Sequence, residues 1–130
     1  MIKFDFLKTI LVVLLSISFH LSLSAQCNRM SDSLELVKLY NSLDGPNWTN
    51  KTNWLVPGKS IDTWYGIEIN ANGCVTKIVL ERNNLSGQLY NLDFPELRFL
   101  YLTNNQLTSI IPNFDKLPKL LALGLVANKL

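Results

Sequence analysis

Histidine is nearly missing from this 130-residue chain, and cysteine is scarce. The one histidine is His20, and the two cysteines are Cys27 and Cys74. His20 falls in an apolar N-terminal segment, so the remainder of the chain has no imidazole. That excludes Ser-His-Asp and Cys-His catalysis, His-ligated zinc and a His-based pH switch from residue 26 onward. Charged residues make up only 17% of the chain and no basic run or cationic stripe is present, which argues against nucleic acid as a partner. No cofactor fingerprint and no metal-ligand cluster stands out, so none is expected. No apolar run reaches the roughly 20 residues of a membrane span.

The longest apolar run, Ile10–Phe19, follows a start containing Lys3 and Lys8. It is succeeded by Leu21-Ser22-Leu23-Ser24-Ala25. A basic start, a short apolar stretch and small residues spell a secretory signal, with cleavage after Ala25; an uncleaved anchor is the alternative. Removing residues 1–25 takes away two lysines and one aspartate, leaving 105 residues of net charge +1. That is enough for one domain. In an exported protein Cys27 and Cys74 read as a disulfide pair. The rival reading, lipidation of Cys27, meets Gln26 where a small residue is wanted.

Three stretches share one pattern: Val75–Leu85, Leu97–Leu107 and Leu120–Leu130, whose starts lie 22 and 23 residues apart. Each has apolar residues at its first, fourth, sixth and eleventh positions and Asn at its ninth (Asn83, Asn105, Asn128). Positions four and six are Ile78 and Leu80, Leu100 and Leu102, and Leu123 and Leu125; they alternate with outward residues as in a strand with one buried face. At the ninth position the chain bends and leaves backbone groups inside the core. An Asn side chain both donates and accepts, so it can meet them. A period of this length predicts an α/β solenoid whose short strands stack in parallel along one concave face.

These residues resemble the leucine-rich repeat family, with its pattern LxxLxLxxNxLxxxIP. Asn84-Leu85-Ser86-Gly87 and Ile111-Pro112 are similar to the plant-type subclass, which also occurs in bacterial surface proteins; Tyr90 and Ser109 depart from it. The returns match as well, Phe94-Pro95-Glu96-Leu97 against Leu117-Pro118-Lys119-Leu120. The resemblance covers about residues 32–130 and implies a right-handed coil closed at its start by a helical cap. The expected organisation is a signal peptide at 1–25, a cap at 26–74, and repeats at 75–96, 97–119 and an incomplete 120–130, with no C-terminal cap.

In the cap, Asp32 and Glu35 form a capping box for a helix at about 32–43. Leu36, Leu39, Tyr40 and Leu43 lie on one face of that helix, and Asp44-Gly45-Pro46 stops it. Trp48, Trp54 and Trp64 follow. Large rings supply core area to a loop-rich segment, and Trp48 is the one most open to a sugar-stacking role. Trp64-Tyr65-Gly66-Ile67 resembles the WxGV of plant-type caps, but Ile69 stands where that cap has Cys, so the family's cysteine pairing does not carry over. Asn47, Asn50 and Asn84 head N-glycosylation acceptor triplets, which matter only in a eukaryotic host.

The outward residues of the strands are Lys77, Val79 and Glu81; Phe99, Tyr101 and Thr103; and Ala122, Gly124 and Val126. Two adjacent aromatics, Phe99 and Tyr101, flanked by charge, suit a recognition hot spot, and Gly124 leaves a gap beside Tyr101. Glu68 and Glu81 are the carboxylates a glycosidase reading needs, but an open sheet excludes little water and no enzyme is expected. The expected function is an exported or cell-surface module that binds a protein, peptide or glycan on this face. The alternative is a capped fragment of a larger surface receptor or adhesin, its working parts lying beyond residue 130. Leu123, Leu125 and Leu130, lacking a following coil, point to self-association.

Overall fold

The computed structural model describes residues 27–110 and 113–130. The expected signal peptide and the Ile111-Pro112 pair lie outside them. The chain opens with helix α1 (Arg29–Ser42), continues through two short 3-10 turns (Gly45–Asn47 and Ile61–Thr63), and then runs through six strands: β1 (Ile67–Ile69), β2 (Val75–Val79), β3 (Ser86–Leu89), β4 (Phe99–Tyr101), β5 (Gln106–Ile110) and β6 (Ala122–Gly124).

Helix α1 starts earlier than the sequence pattern suggests. Asn28 is its N-cap, accepting the Met30 N–H at 2.9 Å. Asp32 is therefore not the cap, and Asp32 and Glu35 form no capping box. Both lie inside the structure instead. Asp32 accepts the Val75 N–H at 2.7 Å and Glu35 accepts the Asp93 N–H at 3.2 Å, so each carboxylate ties the helix to a distant segment. At the other end Asp44, not Gly45, takes the left-handed conformation (φ 58°). Gly45 is needed for another reason: the Tyr40 ring occupies the place where its Cβ would stand.

The four-stranded sheet has the order β1-β2-β4-β6, and β3 and β5 form a separate two-stranded sheet. β2, β4 and β6 run parallel, while β1 is antiparallel to β2. This corrects the expected solenoid. The described residues form a small mixed α/β domain, with one α-helix, a mixed sheet and a two-stranded sheet, and no closed, repeating coil. Two causes are visible. The Asn70–Cys74 turn, closed by Gly73 N–H to Asn70 O and Asn70 N–H to Cys74 O, folds β1 back as a hairpin, which no repeat unit contains. The repeating pairs are also few: the β2 and β4 segments each lead into a second-sheet strand (β3 and β5), and β6 leads into none among the described residues.

The core lies between the sheets and under α1. Val75, Ile78, Leu80, Leu85, Leu97, Leu100, Leu102, Leu107 and Phe94 are fully buried. Tyr40, Trp48, Trp54 and Trp64 form a continuous aromatic cluster with centroids 4.8–5.8 Å apart. Their indole N–H groups donate to the carbonyls of Leu43, Tyr65 and Lys59. The rings thus act as core with their polar tips satisfied, as buried tryptophans require. Cys27 and Cys74 form a disulfide that joins the start of α1 to the start of β2, so the Cys27 sulfur is already bonded within the chain. Among the described residues no helix is long and apolar enough to cross a membrane.

Candidate functional site

Period-two alternation puts every second side chain of β2, β4 and β6 on the outer face of the sheet. The register aligns them in columns: Lys77 beside Phe99 beside Ala122, and Val79 beside Tyr101 beside Gly124. Backbone bonds extend the alignment past the strand ends, from Arg82 N–H to Thr103 O (3.0 Å) and from Asn104 N–H to Val126 O (2.9 Å). Glu81, Thr103 and Val126 therefore make a third column. All seven residues expected to bind ligand (Lys77, Val79, Glu81, Phe99, Tyr101, Thr103 and Gly124) lie on this one face.

The face has an apolar middle and a charged flank. The Phe99 and Tyr101 rings stack with centroids 6.3 Å apart and planes at 24°. β1 brings Glu68 opposite Lys77, and the two form a 2.9 Å ion pair. The gap expected at Gly124 is filled: a Cβ there would stand 2.9 Å from Tyr101 Cδ1 and 3.0 Å from Thr103 Oγ1. Gly124 thus leaves room for the edge of the tyrosine ring beside β6. Glu68 faces Lys77, and Glu81 lies four residues beyond Lys77, about 13 Å along the strand at the usual rise.

The bend behind this face is held by the asparagines. Residues at the eighth position, Arg82, Asn104 and Ala127, take positive φ of 50°, 57° and 56°, turning the chain inward. Asn105 then accepts the N–H groups of Asn83 and Leu85 through Oδ1 (2.9 and 3.0 Å). Its Nδ2 donates to the carbonyls of Leu80, Leu102 and Thr103 (2.8, 2.9 and 3.3 Å). Asn128 accepts the Leu107 N–H and donates to the Leu102 and Leu125 carbonyls. Asn83 exchanges two bonds with the Asn50 backbone. Each amide ties its own bend to the preceding segment, which keeps the columns in register.

The end of the sheet is open. Among the described residues β6 has a neighbour only on its β4 side, and Leu121, Val126 and Leu130 are 72%, 75% and 58% exposed beside it.

Sequence reasoning missed a second concavity, on the other side of the molecule. A groove of about 500 Å3 lies between α1 and the Tyr90–Asp93 segment. Its lining comes from three separate stretches of chain. The one sequence signal was Tyr90, which stands where the repeat pattern calls for Pro.

No family model matches the chain, and no solved structure matches it. A protein of Arabidopsis thaliana named an inactive leucine-rich repeat receptor-like serine/threonine-protein kinase is 34% identical over 105 residues. The match covers 77% of this chain and 15% of that protein. The chain thus spans about 15% of the length of the relative it matches.

Proposed function

We propose that this chain is a recognition module, related to leucine-rich repeat proteins and working at the cell surface or outside the cell, that holds a protein or peptide segment on the outer face of its four-stranded sheet. The observation that carries this reading is the stacked Phe99–Tyr101 pair in the middle of the face, with the Lys77–Glu68 pair at its flank. Aromatic anchors ringed by polar groups are where binding energy concentrates in protein interfaces. The strip is one face of a four-stranded sheet rather than an enclosed cavity, which suits an extended segment better than a small molecule. The receptor-type name of the plant protein supports a surface setting, and its description as inactive agrees with a role in binding rather than catalysis.

The test uses a random peptide library displayed on phage and panned against the folded, oxidised chain. Enriched peptides should lose at least tenfold in affinity for the Phe99→Ala/Tyr101→Ala variant, whose far-ultraviolet circular dichroism checks that it is still folded, since both rings are half-buried and their loss lowers its melting temperature. Unchanged affinity would move the site off this face.

A second reading has its own observation. The edge of β6 that has no partner among the described residues, and the exposed Leu121, Val126 and Leu130, suit docking of a second copy, since open strand edges with apolar neighbours recruit other chains. Light scattering over a concentration series should then show a dimer that Leu121→Lys/Val126→Lys converts to monomer; a monomer at every concentration would refute it.

A further inference from the structure

The groove between α1 and the Tyr90–Asp93 segment has the make-up of a ligand site, and nothing in the reading above uses it. Its volume, about 500 Å3, is in the range of small-molecule sites. Leu39 and Leu92 are buried beneath it. Tyr90 lines one wall and is 54% exposed, an aromatic ring of a size that chains normally cover or use.

The polar groups around that ring pair with one another. Glu35 is only 6% exposed; one of its oxygens accepts the Asp93 N–H and the other binds Lys38 Nζ at 3.0 Å. On the far side Lys116 Nζ meets Asp93 Oδ2 at 3.0 Å. This hydrogen bond to Asp93 holds the Lys116 ammonium above its ordinary value, so it stays protonated. Asn91 adds an amide to the same rim. The groove thus has two carboxylates against two ammonium groups and no excess charge for an anion or a cation to neutralise.

We propose that this groove binds a neutral pyranose sugar. The C–H face of the ring would lie on Tyr90, because an aromatic face carries negative quadrupole density that attracts polarised C–H groups. The hydroxyls would donate to Glu35 and Asp93 and accept from Lys38, Lys116 and Asn91, a mixture of donors and acceptors that suits a ligand bearing both on every hydroxyl. The site lies on α1 and the loop that follows β3, away from the outer face of the four-stranded sheet, so the two proposals stand or fall separately.

Saturation-transfer NMR of the oxidised chain with cellobiose, maltose and chitobiose, each at millimolar concentration, tests it. At least one disaccharide should receive saturation at its ring C–H protons and shift the backbone amides of Asn91 and Asp93. Tyr90→Ala should abolish the transfer with an unchanged melting temperature, and Lys116→Ala should weaken it severalfold, whereas Tyr101→Ala should leave it intact. No transfer to any of the three sugars, or transfer that survives Tyr90→Ala, overturns the proposal.

Discussion

Replacing Asn105 with leucine should do more damage than any other single change in the row of asparagines. Leucine keeps the forked shape but carries two bulkier methyl groups, so the main loss is one of hydrogen bonds, with some crowding added at this buried site. Asn105 serves five backbone groups, and two of these have other partners: the Leu102 carbonyl also accepts from Asn128, and the Thr103 carbonyl from the Arg82 N–H. The Asn83 and Leu85 N–H groups and the Leu80 carbonyl depend on Asn105 among the described residues. A buried backbone group left unpaired costs about 1–3 kcal/mol, so the three together come to about 3–9 kcal/mol. A domain of this size is stable by about 5–15 kcal/mol, so the variant should be strongly destabilised or unfolded. Asn128→Leu removes the partners of Leu107 N–H and Leu125 O at a half-exposed position that water reaches, and should cost about 1–2 kcal/mol. Urea titration at a shared m-value, followed by far-ultraviolet circular dichroism, gives the ordering. An Asn105→Leu cost under about 1 kcal/mol, or one no larger than that of Asn128→Leu, would refute the claim that these amides hold the bends together.

Other outcomes follow from the same contacts. Burial raises the Asp32 carboxyl above its ordinary value, the Val75 N–H bond opposes this, and Asp93, Glu35 and Glu96 add to the rise; its Oδ1 is buried without a partner among the described residues. The folded chain therefore holds this proton more tightly than the unfolded chain. The Asp32 contribution should be greatest in acid and fall as pH rises from the ordinary carboxylate value of 3.8 through the raised one. Asp32→Asn keeps an acceptor for Val75, so its melting temperature, measured against the parent from pH 3 to pH 7, should gain on it as pH rises; a constant difference would contradict this. Asp32→Ala, by contrast, orphans the Val75 N–H and should cost about 1–3 kcal/mol at any pH. Reducing the Cys27–Cys74 bond, which spans 47 residues, should cost about 4 kcal/mol by the chain-entropy account, read from denaturation with and without reductant. Gly124→Ala sets a methyl against the Tyr101 ring and should change near-ultraviolet dichroism more than stability; an unaltered tyrosine signal would show that the ring does not lie there.

The sequence made some layers of this structure legible and hid others. The alternation at Ile78, Leu80, Leu100 and Leu102 shows which face is buried, because a slip of one residue would turn them all outward, and the 22-residue repeat offset aligns Ile78 with Leu100. The scale of the architecture was not legible. The repeat spacing speaks for the segments that carry it and is silent about the β1 hairpin, whose pairing is set by a short turn outside the pattern. The start of α1 was misplaced because Asn28 and Asp32 are both good caps by residue type. What distinguishes them is Val75, 43 residues away, whose N–H claims the Asp32 carboxylate. The columns on the sheet face followed from alternation alone, but the ring of Tyr101 over Gly124 depends on a rotamer that no local pattern states. The Tyr90 groove was hidden for the plainest reason: helix, loop and Lys116 meet only once the chain has folded.

Titrating a display-selected peptide into the 15N-labelled chain and mapping the amide shifts tests the central claim most directly. The account predicts that the largest shifts fall on Lys77–Val79, Phe99–Thr103 and Ala122–Val126. Shifts confined to α1, to the Trp-rich segment or to the Tyr90–Asp93 loop, with the three strands unmoved, would contradict it.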